Sequence, residues 1–387
     1  MIVGIIAEYN PFHNGHKYQI EYLRKIYNPE GIFIAMSGNY VQRGEAASFD
    51  KYTRAKSALS AGADLVFEIP QIFACASARD FARSSVKLLA TCGCDTIACG
   101  AETPDEKLLT ILTDYLSDES VEYKNELNKA LKAGFSFPSA REKAVYNHFK
   151  DEKISCFLKE PNNLLALEYS LAARFLGCEL RVIPIKREKT NHNDTASNGK
   201  YSSASYIREG LNNGLNVDNY LPYPDYYDLN NFVSMKDFDS ILLDRLISLD
   251  DNSYYDINSD LFDRIKNNVS NFTTTSDFIN ILKAKNTNYS SISRALLRLI
   301  LGYTKDDAQD YLPYIRLLGM KKEARKLLSS VSSSCEAVGE LITSLPKNPS
   351  PLLEKHIRND ALYEGIRALK SGTEIQNEYG RKFLVVE

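Results

Sequence analysis

The first half of the chain alternates short apolar runs with amphipathic stretches. The amphipathic stretches predict helices at residues 15–27, 50–61 and 80–91. The apolar runs predict strands at residues 1–7, 31–36, 64–69, 96–99 and 180–185. Because helices follow strands, we expect right-handed crossovers and a parallel sheet that is covered on both faces. The pattern therefore favours a Rossmann-like α/β fold with a doubly wound parallel sheet.

The pattern changes near residue 211. Beyond it, connectors rich in Asn, Asp and Tyr separate helical segments such as 237–247 and 291–301, and no further strand pattern is clear. A length of 387 residues also favours two domains. We therefore predict an α/β domain over residues 1–210 and a mainly α-helical domain over residues 211–387.

Composition and the amino terminus argue against several classes of protein. Hydrophobic residues make up 44% of the chain and charged residues 25%, which is typical of a globular protein and not of a disordered one. The seven scattered cysteines favour reduced thiols in the cytoplasm, and their spacing does not favour a zinc site. The first apolar run is too short for a membrane span and lacks the basic residues of a signal peptide. We expect a cytoplasmic protein without a membrane partner.

The net charge of −3 is distributed unevenly, with an acidic region at 211–260 and a basic region at 281–330. A basic surface on a nearly neutral protein is one way to hold RNA, although a run of charge is more often a solvated helix face. We therefore expect the domain at 211–387 to bind RNA. The candidate RNA-binding residues are Arg294, Arg298, Lys321 and Lys322 in the basic region, and Lys51 and Arg54 on the helix at 50–61.

The strongest chemical signal is the segment Asn10-Pro-Phe-His13-Asn-Gly15-His16, between the first predicted strand and the first predicted helix. Ligands of doubly wound sheets bind outside the carboxyl ends of the strands, where a helix amino terminus offers unpaired N–H groups to phosphate. Gly15 permits close approach of a nucleotide, and both imidazoles can donate to phosphate oxygens. We therefore predict that His13 and His16 are catalytic donors to the α-phosphate of ATP. The alternatives are helix capping and a metal site, and the latter lacks a third ligand nearby.

Other polar segments lie where strands end or helices begin. Ser203, Ser205 and Arg208 open a predicted helix and are candidates for the β- and γ-phosphates of ATP. The loops after the second, fourth and fifth strands should project over one edge of the sheet, where they offer contacts to an acceptor, adenine or phosphate. These contacts are Ser37, Asn39, Gln42 and Arg43 in the candidate acceptor loop, then Gly100, then Arg187. Asn162 opens a further helix, where it either caps the helix or contacts an edge of the adenine base. For the three loops after strands, the alternative is that they are simply solvated.

Segments 8–16, 36–45, 161–163 and 202–208 resemble, in order and spacing, the tRNA(Met) cytidine acetate ligase family of the HxGH nucleotidyltransferase superfamily. The resemblance reaches residues 311–319 and thus covers nearly the full chain. It implies that acetate and ATP form acetyl-adenylate and pyrophosphate, and that the acetyl group then passes to N4 of the wobble cytidine in the anticodon of elongator tRNA(Met). We expect Mg²⁺ to accompany the triphosphate. The implied ATP contacts fall at Ala7, Glu8, Tyr9, Asn10, Gly15, His16, Gly100, Asn162 and Arg187.

Two other functions explain part of the pattern. A cofactor-biosynthetic adenylyltransferase, which transfers AMP to a small phosphorylated metabolite, would use the same histidine turn but gives no role to the large C-terminal region. A non-catalytic RNA-binding protein with a relic nucleotide fold would not need intact His13, Gly15 and His16. Consumption of ATP that depends on acetate separates the ligase from both.

Overall fold

An eight-stranded sheet forms the centre of the computed structural model, which describes residues 1–187, 201–284, 287–308, 310–335 and 341–387. The strands are β1 (Ile2–Ala7), β2 (Gly31–Ser37), β3 (Tyr40–Val41), β4 (Glu45–Ala46), β5 (Leu65–Ile69), β6 (Thr96–Ala101), β7 (Arg181–Lys186), β8 (Ile315–Lys321), β9 (Leu341–Ile342) and β10 (Leu384–Val386). The order in the sheet is β10-β8-β5-β2-β1-β6-β7, with β9 also paired to β8, and β3 and β4 form a separate hairpin.

Helices cover the sheet and form most of the C-terminal region. They are α1 (Asn14–Tyr27), α2 (Lys51–Ser60), α3 (Gln71–Ala74), α4 (Ala78–Thr91), α5 (Glu106–Ser117), α6 (Val121–Lys132), α7 (Phe137–Phe149), α8 (Glu152–Lys159), α9 (Pro161–Leu176), α10 (Ala204–Asn212), α11 (Asp239–Ile247), α12 (Ser259–Asn268), α13 (Thr275–Leu282), α14 (Tyr289–Leu301), α15 (Arg325–Cys335) and α16 (Pro351–Ser371). Within the described ranges, no helix combines the length and the apolar character that a membrane crossing requires.

The five predicted strands are confirmed and lie side by side. β5, β2, β1, β6 and β7 are mutually parallel in that order. β2 and β5 are buried at every residue, as expected for strands in the middle of a sheet that is covered on both faces. The carboxyl ends of these strands meet at one side of the sheet, which we call the carboxyl edge. The loops that follow β1, β2, β6 and β7 therefore gather there.

The C-terminal region is mainly helical, as predicted, but it also adds three strands to the same sheet that the sequence pattern did not reveal. β8 pairs antiparallel with β5, and β9 and β10 pair parallel with β8. The sequence of β8, Ile-Arg-Leu-Leu-Gly-Met-Lys, conceals this role because Arg316 interrupts an apolar run. A charged residue in a buried strand needs partners from distant parts of the chain, which a local pattern does not reveal.

A buried ion cluster supplies those partners. It consists of Lys51, Glu68, Arg316, Asp360 and Glu378, each at most 4% exposed. The Lys51 ammonium lies 3.0 Å from Glu68 and 2.9 Å from Glu378, and it also contacts Asp360. The Arg316 guanidinium lies 3.1 Å from Glu68 and 2.6 Å from Glu378. The members come from α2, β5, β8, α16 and the segment after α16, so the cluster joins both ends of the chain.

This cluster contains three carboxyl groups and two cationic side chains, Lys51 and Arg316. Burial opposes ionisation of Glu68, but Lys51, His356 and Arg316 outweigh it, so the pKa of Glu68 lies well below 4.5. Burial raises the pKa of Asp360 above its ordinary value, which makes Asp360 the more readily protonated of these two carboxyls. Glu68, His356 and Asp360 place three possible ligand atoms within 4.8 Å of one another. Lys51 and Arg316 already neutralise those carboxylates, so we assign no metal there.

Three cations predicted to bind RNA are structural. Lys51 belongs to the buried ion cluster. Arg54 is fully buried, and its guanidinium donates to backbone carbonyls at the ends of β1 and β2. Arg298 is fully buried and pairs with Asp256 at 2.5 Å. The prediction that these side chains contact RNA is wrong, because a phosphate cannot reach a group without exposed surface, and each charge is already compensated inside the protein.

We expect Arg316→Leu to lower the free energy of unfolding by about 3–5 kcal/mol, because it leaves three buried carboxyls with a single full cation. Lys322→Leu is the matched control at the end of β8. It breaks an exposed pair with Glu387 and should cost less than about 1 kcal/mol. Urea unfolding of both variants measures the difference. Equal stabilities of the two variants would contradict the importance of the cluster.

Candidate active site

The turn after β1 carries the histidine motif to the carboxyl edge. Tyr9 has a positive φ of 48°, a conformation that non-glycine residues rarely adopt. Its ring packs on Phe12 with centroids 4.8 Å apart, and both rings are buried. This apolar floor holds the turn, so that α1 begins directly above the end of β1. The first N–H groups of α1 and the two histidines consequently lie at the carboxyl edge.

His13 and His16 cap the start of α1 reciprocally. Nδ1 of His13 accepts from the N–H of Gly15 at 3.1 Å, and Nδ1 of His16 accepts from the N–H of His13 at 3.2 Å. The two rings stack with centroids 3.7 Å apart. Because Nδ1 is an acceptor in both rings, the proton of each neutral imidazole is assigned to Nε2. Within the described part of the chain neither Nε2 is hydrogen-bonded, so both can donate to a ligand.

Both imidazoles are neutral at physiological pH. Burial and the nearby Arg187 lower the pKa of His13 to about 3. Burial, His13 and Arg187 lower the pKa of His16 well below 6.5. The pair thus offers two fixed N–H donors without bringing two further positive charges together.

Gly100 and Arg187 lie beside the histidines at the ends of β6 and β7. A Cβ atom on Gly100 would lie 3.1 Å from Cγ of Arg187, so the glycine lets the arginine side chain cross the end of β6. Arg187 is exposed, and its charge contributes to the low pKa values of His13 and His16. An exposed cation beside two neutral donors is an arrangement suited to phosphate.

Asn162 meets Glu102 near the end of β6. Asn162 donates through Nδ2 to the Glu102 carboxylate, and the N–H of Asn163 lies 3.2 Å from the same carboxylate. Glu102 therefore caps α9, whose own N-cap residue, Glu160, makes no side-chain capping bond. Since β6 pairs with β1, Asn162 lies one strand away from the histidine turn.

The helix α10 reaches the histidine motif through Arg208. Ser203 caps α10, because its Oγ accepts an N–H of the first turn at 3.2 Å. Arg208 donates to the carbonyl of Asn10 at 2.8 Å and lies 3.7 Å from the Glu45 carboxylate. Ser205 is exposed on the first turn of the same helix. The structure thus brings Arg208 to the motif, with part of its guanidinium bound to the backbone there.

Three carboxylates complete this region: Glu8, which the family resemblance implies as an ATP contact, and Glu45 and Glu102, to which the sequence prediction assigned no role. Glu45 and Glu102 contact Arg208 and Asn162, respectively, and only those distant partners reveal their place in the site. Burial raises the pKa of Glu8, although Arg43 and other nearby groups lower it, and its Oε1 is buried without a hydrogen-bond partner. The one local signal for these residues is their position directly after a strand or in the loop that follows it.

Half of the predicted acceptor loop is structural. Ser37 and Asn39 are at most 1% exposed. The Asn39 side chain bonds to two members of the buried ion cluster, at 3.0 Å each. Both predicted acceptor contacts are wrong in this structure, because both side chains are buried and Asn39 joins the loop to the cluster. Gln42 is half-buried and Arg43 is exposed, so only these two can meet a ligand.

Of the remaining basic residues predicted to bind RNA, Lys321 and Lys322 lie away from the histidine turn. The N–H of Lys321 donates to the carbonyl of Asp64, just before β5. Lys321 and the exposed Lys322 thus lie at the opposite edge of the sheet, a strand length or roughly 20 Å from the carboxyl edge. Arg294 is half-buried against the β3–β4 hairpin, where its backbone leaves no room for a side chain on Gly44.

Several known proteins are similar to this chain over nearly its full length. The family model described as HIGH Nucleotidyl Transferase matches residues 1–378. A tRNA(Met) cytidine acetate ligase of Clostridium kluyveri is 36% identical over 376 residues, which cover 91% of this chain and 92% of that protein. One of Clostridium perfringens strain SM101 is 33% identical over 398 residues, with 98% of both proteins covered.

Two solved structures have the same fold. The crystal structure of apo Thermotoga maritima TmcAL has a TM-score of 0.90 and 26% identity, and it covers 100% of this chain and 99% of that chain. Thermotoga maritima TmcAL bound with alpha-thio ATP has a TM-score of 0.85 and 26% identity, with 100% of both chains covered. The chain belongs to the HIGH nucleotidyl transferase family and, within it, to the tRNA(Met) cytidine acetate ligases.

Proposed function

We propose that this protein joins acetate to N4 of the wobble cytidine of elongator tRNA(Met) at the expense of ATP, through acetyl-adenylate. The observation that carries the proposal is the pair of neutral imidazoles at the carboxyl edge, whose Nε2 atoms make no hydrogen bond to the described residues. The names of the similar proteins supply the substrates, and a similar protein binds an ATP analogue. Free cysteines throughout the described residues agree with a place in the cytoplasm.

In the first step, an acetate oxygen attacks the α-phosphorus of ATP. The new bond joins the acetate oxygen to phosphorus, and the bond to pyrophosphate breaks. Negative charge grows on the α-phosphate oxygens and on the leaving group, where His13, His16 and the amino terminus of α1 donate. Arg187 lies beside them and balances the charge of the triphosphate, while Asn162 lies on the side expected for adenine. Magnesium enters with ATP as part of the substrate, so no protein ligand is assigned to it.

In the second step, N4 of cytidine attacks the acetyl carbonyl carbon. A nitrogen–carbon bond forms, the bond between the carbonyl carbon and the phosphate oxygen breaks, and AMP leaves. The attacking amine must lose a proton. We assign that proton to Glu8, because its carboxyl lies at the end of β1, has an oxygen without a hydrogen-bond partner among the described residues, and has a pKa that burial raises above its ordinary value.

Mass spectrometry of tRNA after incubation with ATP and isotopically labelled acetate tests both steps together. Label on a single cytidine of tRNA(Met) is the expected result. ATP–pyrophosphate exchange with a panel of small substrates provides the complementary test. Exchange that needs a phosphorylated metabolite and ignores acetate would replace the proposal with a cofactor-biosynthetic adenylyltransferase.

We expect His16→Ala to slow acetate-dependent ATP–pyrophosphate exchange by about 100- to 1,000-fold, because it removes one fixed donor to the transition state. His148→Ala is the matched control, since His148 is an exposed residue that stacks on Tyr115 far from the carboxyl edge. Circular dichroism of both variants checks that the fold is kept. An exchange rate for His16→Ala equal to that of the control would refute the assigned role.

We expect His13→Asn to flatten the acid dependence of stability. The pKa of His13 is about 3 in the folded protein and ordinarily 6.5, so unfolding takes up a proton between these values. Stability therefore falls as the pH drops below 6.5, by up to about 1.4 kcal/mol per pH unit from this residue. Asparagine keeps a cap at the same position without titrating. Urea unfolding at pH 7.5 and pH 5 measures the difference, and identical pH slopes would contradict the buried neutral imidazole.

We expect Arg43→Glu to raise the KM for tRNA on the order of tenfold, because Arg43 is an exposed cation at the carboxyl edge beside Glu8. Lys322→Glu makes the same change in charge at the opposite edge, where only a remote part of the tRNA can reach. Its effect should be much smaller. Initial rates at several salt concentrations measure both variants. A larger effect of Lys322→Glu would reverse the proposed direction of approach.

A further inference from the structure

A cavity of about 540 Å³ lies between the catalytic half of the chain and the C-terminal region. One wall consists of the β3–β4 hairpin and α10, and the other of segments around residues 232–239, the start of α13 and the start of α14. Exposed side chains at its rim, such as Ser205 and Ser276, mark an opening to solvent. Ser205 and Arg208, the sequence-based candidates for the β- and γ-phosphates of ATP, line it, whereas His13, His16 and Arg187 do not.

The cavity adjoins Asn10, the first residue of the histidine motif. Two lining residues bond to Asn10. The Arg208 guanidinium donates to the Asn10 backbone carbonyl at 2.8 Å, and the N–H of Ser48 donates to the Asn10 side-chain oxygen at 2.8 Å. Glu45, another lining residue, lies 3.7 Å from Arg208 and near Glu8 at the end of β1. A group held in the cavity therefore lies next to the segment that carries the histidine motif.

The lining suits a neutral aromatic group that carries an amine. Phe232 and Tyr289 offer ring faces, and Glu45, Glu209 and Asn212 offer oxygen acceptors. A free anion fits poorly, because three lining carboxylates (Glu45, Glu209 and Asp239) face only Arg208 and Lys236. This balance disfavours a small phosphorylated metabolite as occupant. Cytosine matches it, since its N4 amine donates to carboxylates and its ring stacks on aromatic side chains.

We infer that this cavity receives the acceptor cytidine of the tRNA, flipped out of its loop, with its N4 amine directed toward Glu45 and the end of β1. The inference rests on the proposed function for the identity of the nucleotide. A volume of about 540 Å³ accommodates one nucleoside and falls within the range of ordinary small-ligand sites. Bases of single-stranded loops are the part of an RNA that can leave the stack at low cost, so an anticodon base can enter.

Asn212→Trp tests the inference by filling the cavity from the end of α10. The variant should slow acetyl transfer to tRNA on the order of tenfold or more, while acetate-dependent ATP–pyrophosphate exchange, which needs no tRNA, stays within about twofold of the wild type. Asn213→Trp is the matched control, because Asn213 is the exposed neighbour that does not line the cavity. Ser276→Trp fills the cavity from the opposite wall and should repeat the result if Asn212→Trp folds poorly.

Equal acetyl transfer by the cavity-filling variants and Asn213→Trp would overturn the inference. A crosslinking experiment distinguishes a wrong cytidine site from a wrong proposed function, because it locates the nucleotide without requiring catalysis. Full-length tRNA(Met) with 4-thiouridine in place of the acceptor cytidine is irradiated with the protein, and the crosslinked peptides are identified by mass spectrometry. Crosslinks to residues 45–48, 205–212 or 274–293 support the site even if no acetate is consumed, whereas crosslinks confined to other segments overturn it.

Discussion

The fold depends on the neutralisation of a lysine and an arginine by carboxylates in the interior. Lys51 and Arg316 are each almost completely buried, and each contacts carboxylates from other elements. Such a cluster adds little net stability compared with apolar packing, but an incomplete one is costly. All the elements that supply a residue to the cluster must therefore fold together. This requirement couples α16 and β8 to the first half of the chain and makes the C-terminal region part of the catalytic sheet.

The same requirement positions the active site. Asn39 bonds to the cluster and fixes the start of the β3–β4 hairpin. The hairpin is held from the other side by Ser293 of α14, which donates to the Gly44 carbonyl at 2.8 Å. Glu45 on this hairpin then meets Arg208, which in turn bonds to Asn10 of the histidine motif. A continuous series of contacts thus connects the cluster to the reacting turn, so the site is assembled from segments that are far apart in sequence.

The sequence predicts the parts of this design that depend on local pattern. Strands β1, β2, β5, β6 and β7 appear as apolar runs because both faces of the sheet are covered, and the motif from Asn10 to His16 stands out because strand, turn and helix follow directly. The charged residues were misjudged for the opposite reason. Lys51, Arg54 and Arg298 resemble solvated helix residues, and Arg316 hides a strand, because the groups that neutralise them lie far away in the chain. Charge alone does not distinguish a surface residue from a buried, compensated one.

Helix capping and phosphate binding by the histidines are compatible and use different atoms of the same rings. Each Nδ1 satisfies a backbone N–H at the start of α1, which orients the ring and fixes its tautomer. That tautomer leaves the Nε2 proton directed away from the helix, where a phosphate oxygen can accept it. Burial keeps both rings neutral, so they stack at 3.7 Å without repulsion and remain donors of defined geometry. The spacing of His13 and His16 therefore follows from helix geometry as much as from catalysis, since a reciprocal cap requires residues three positions apart.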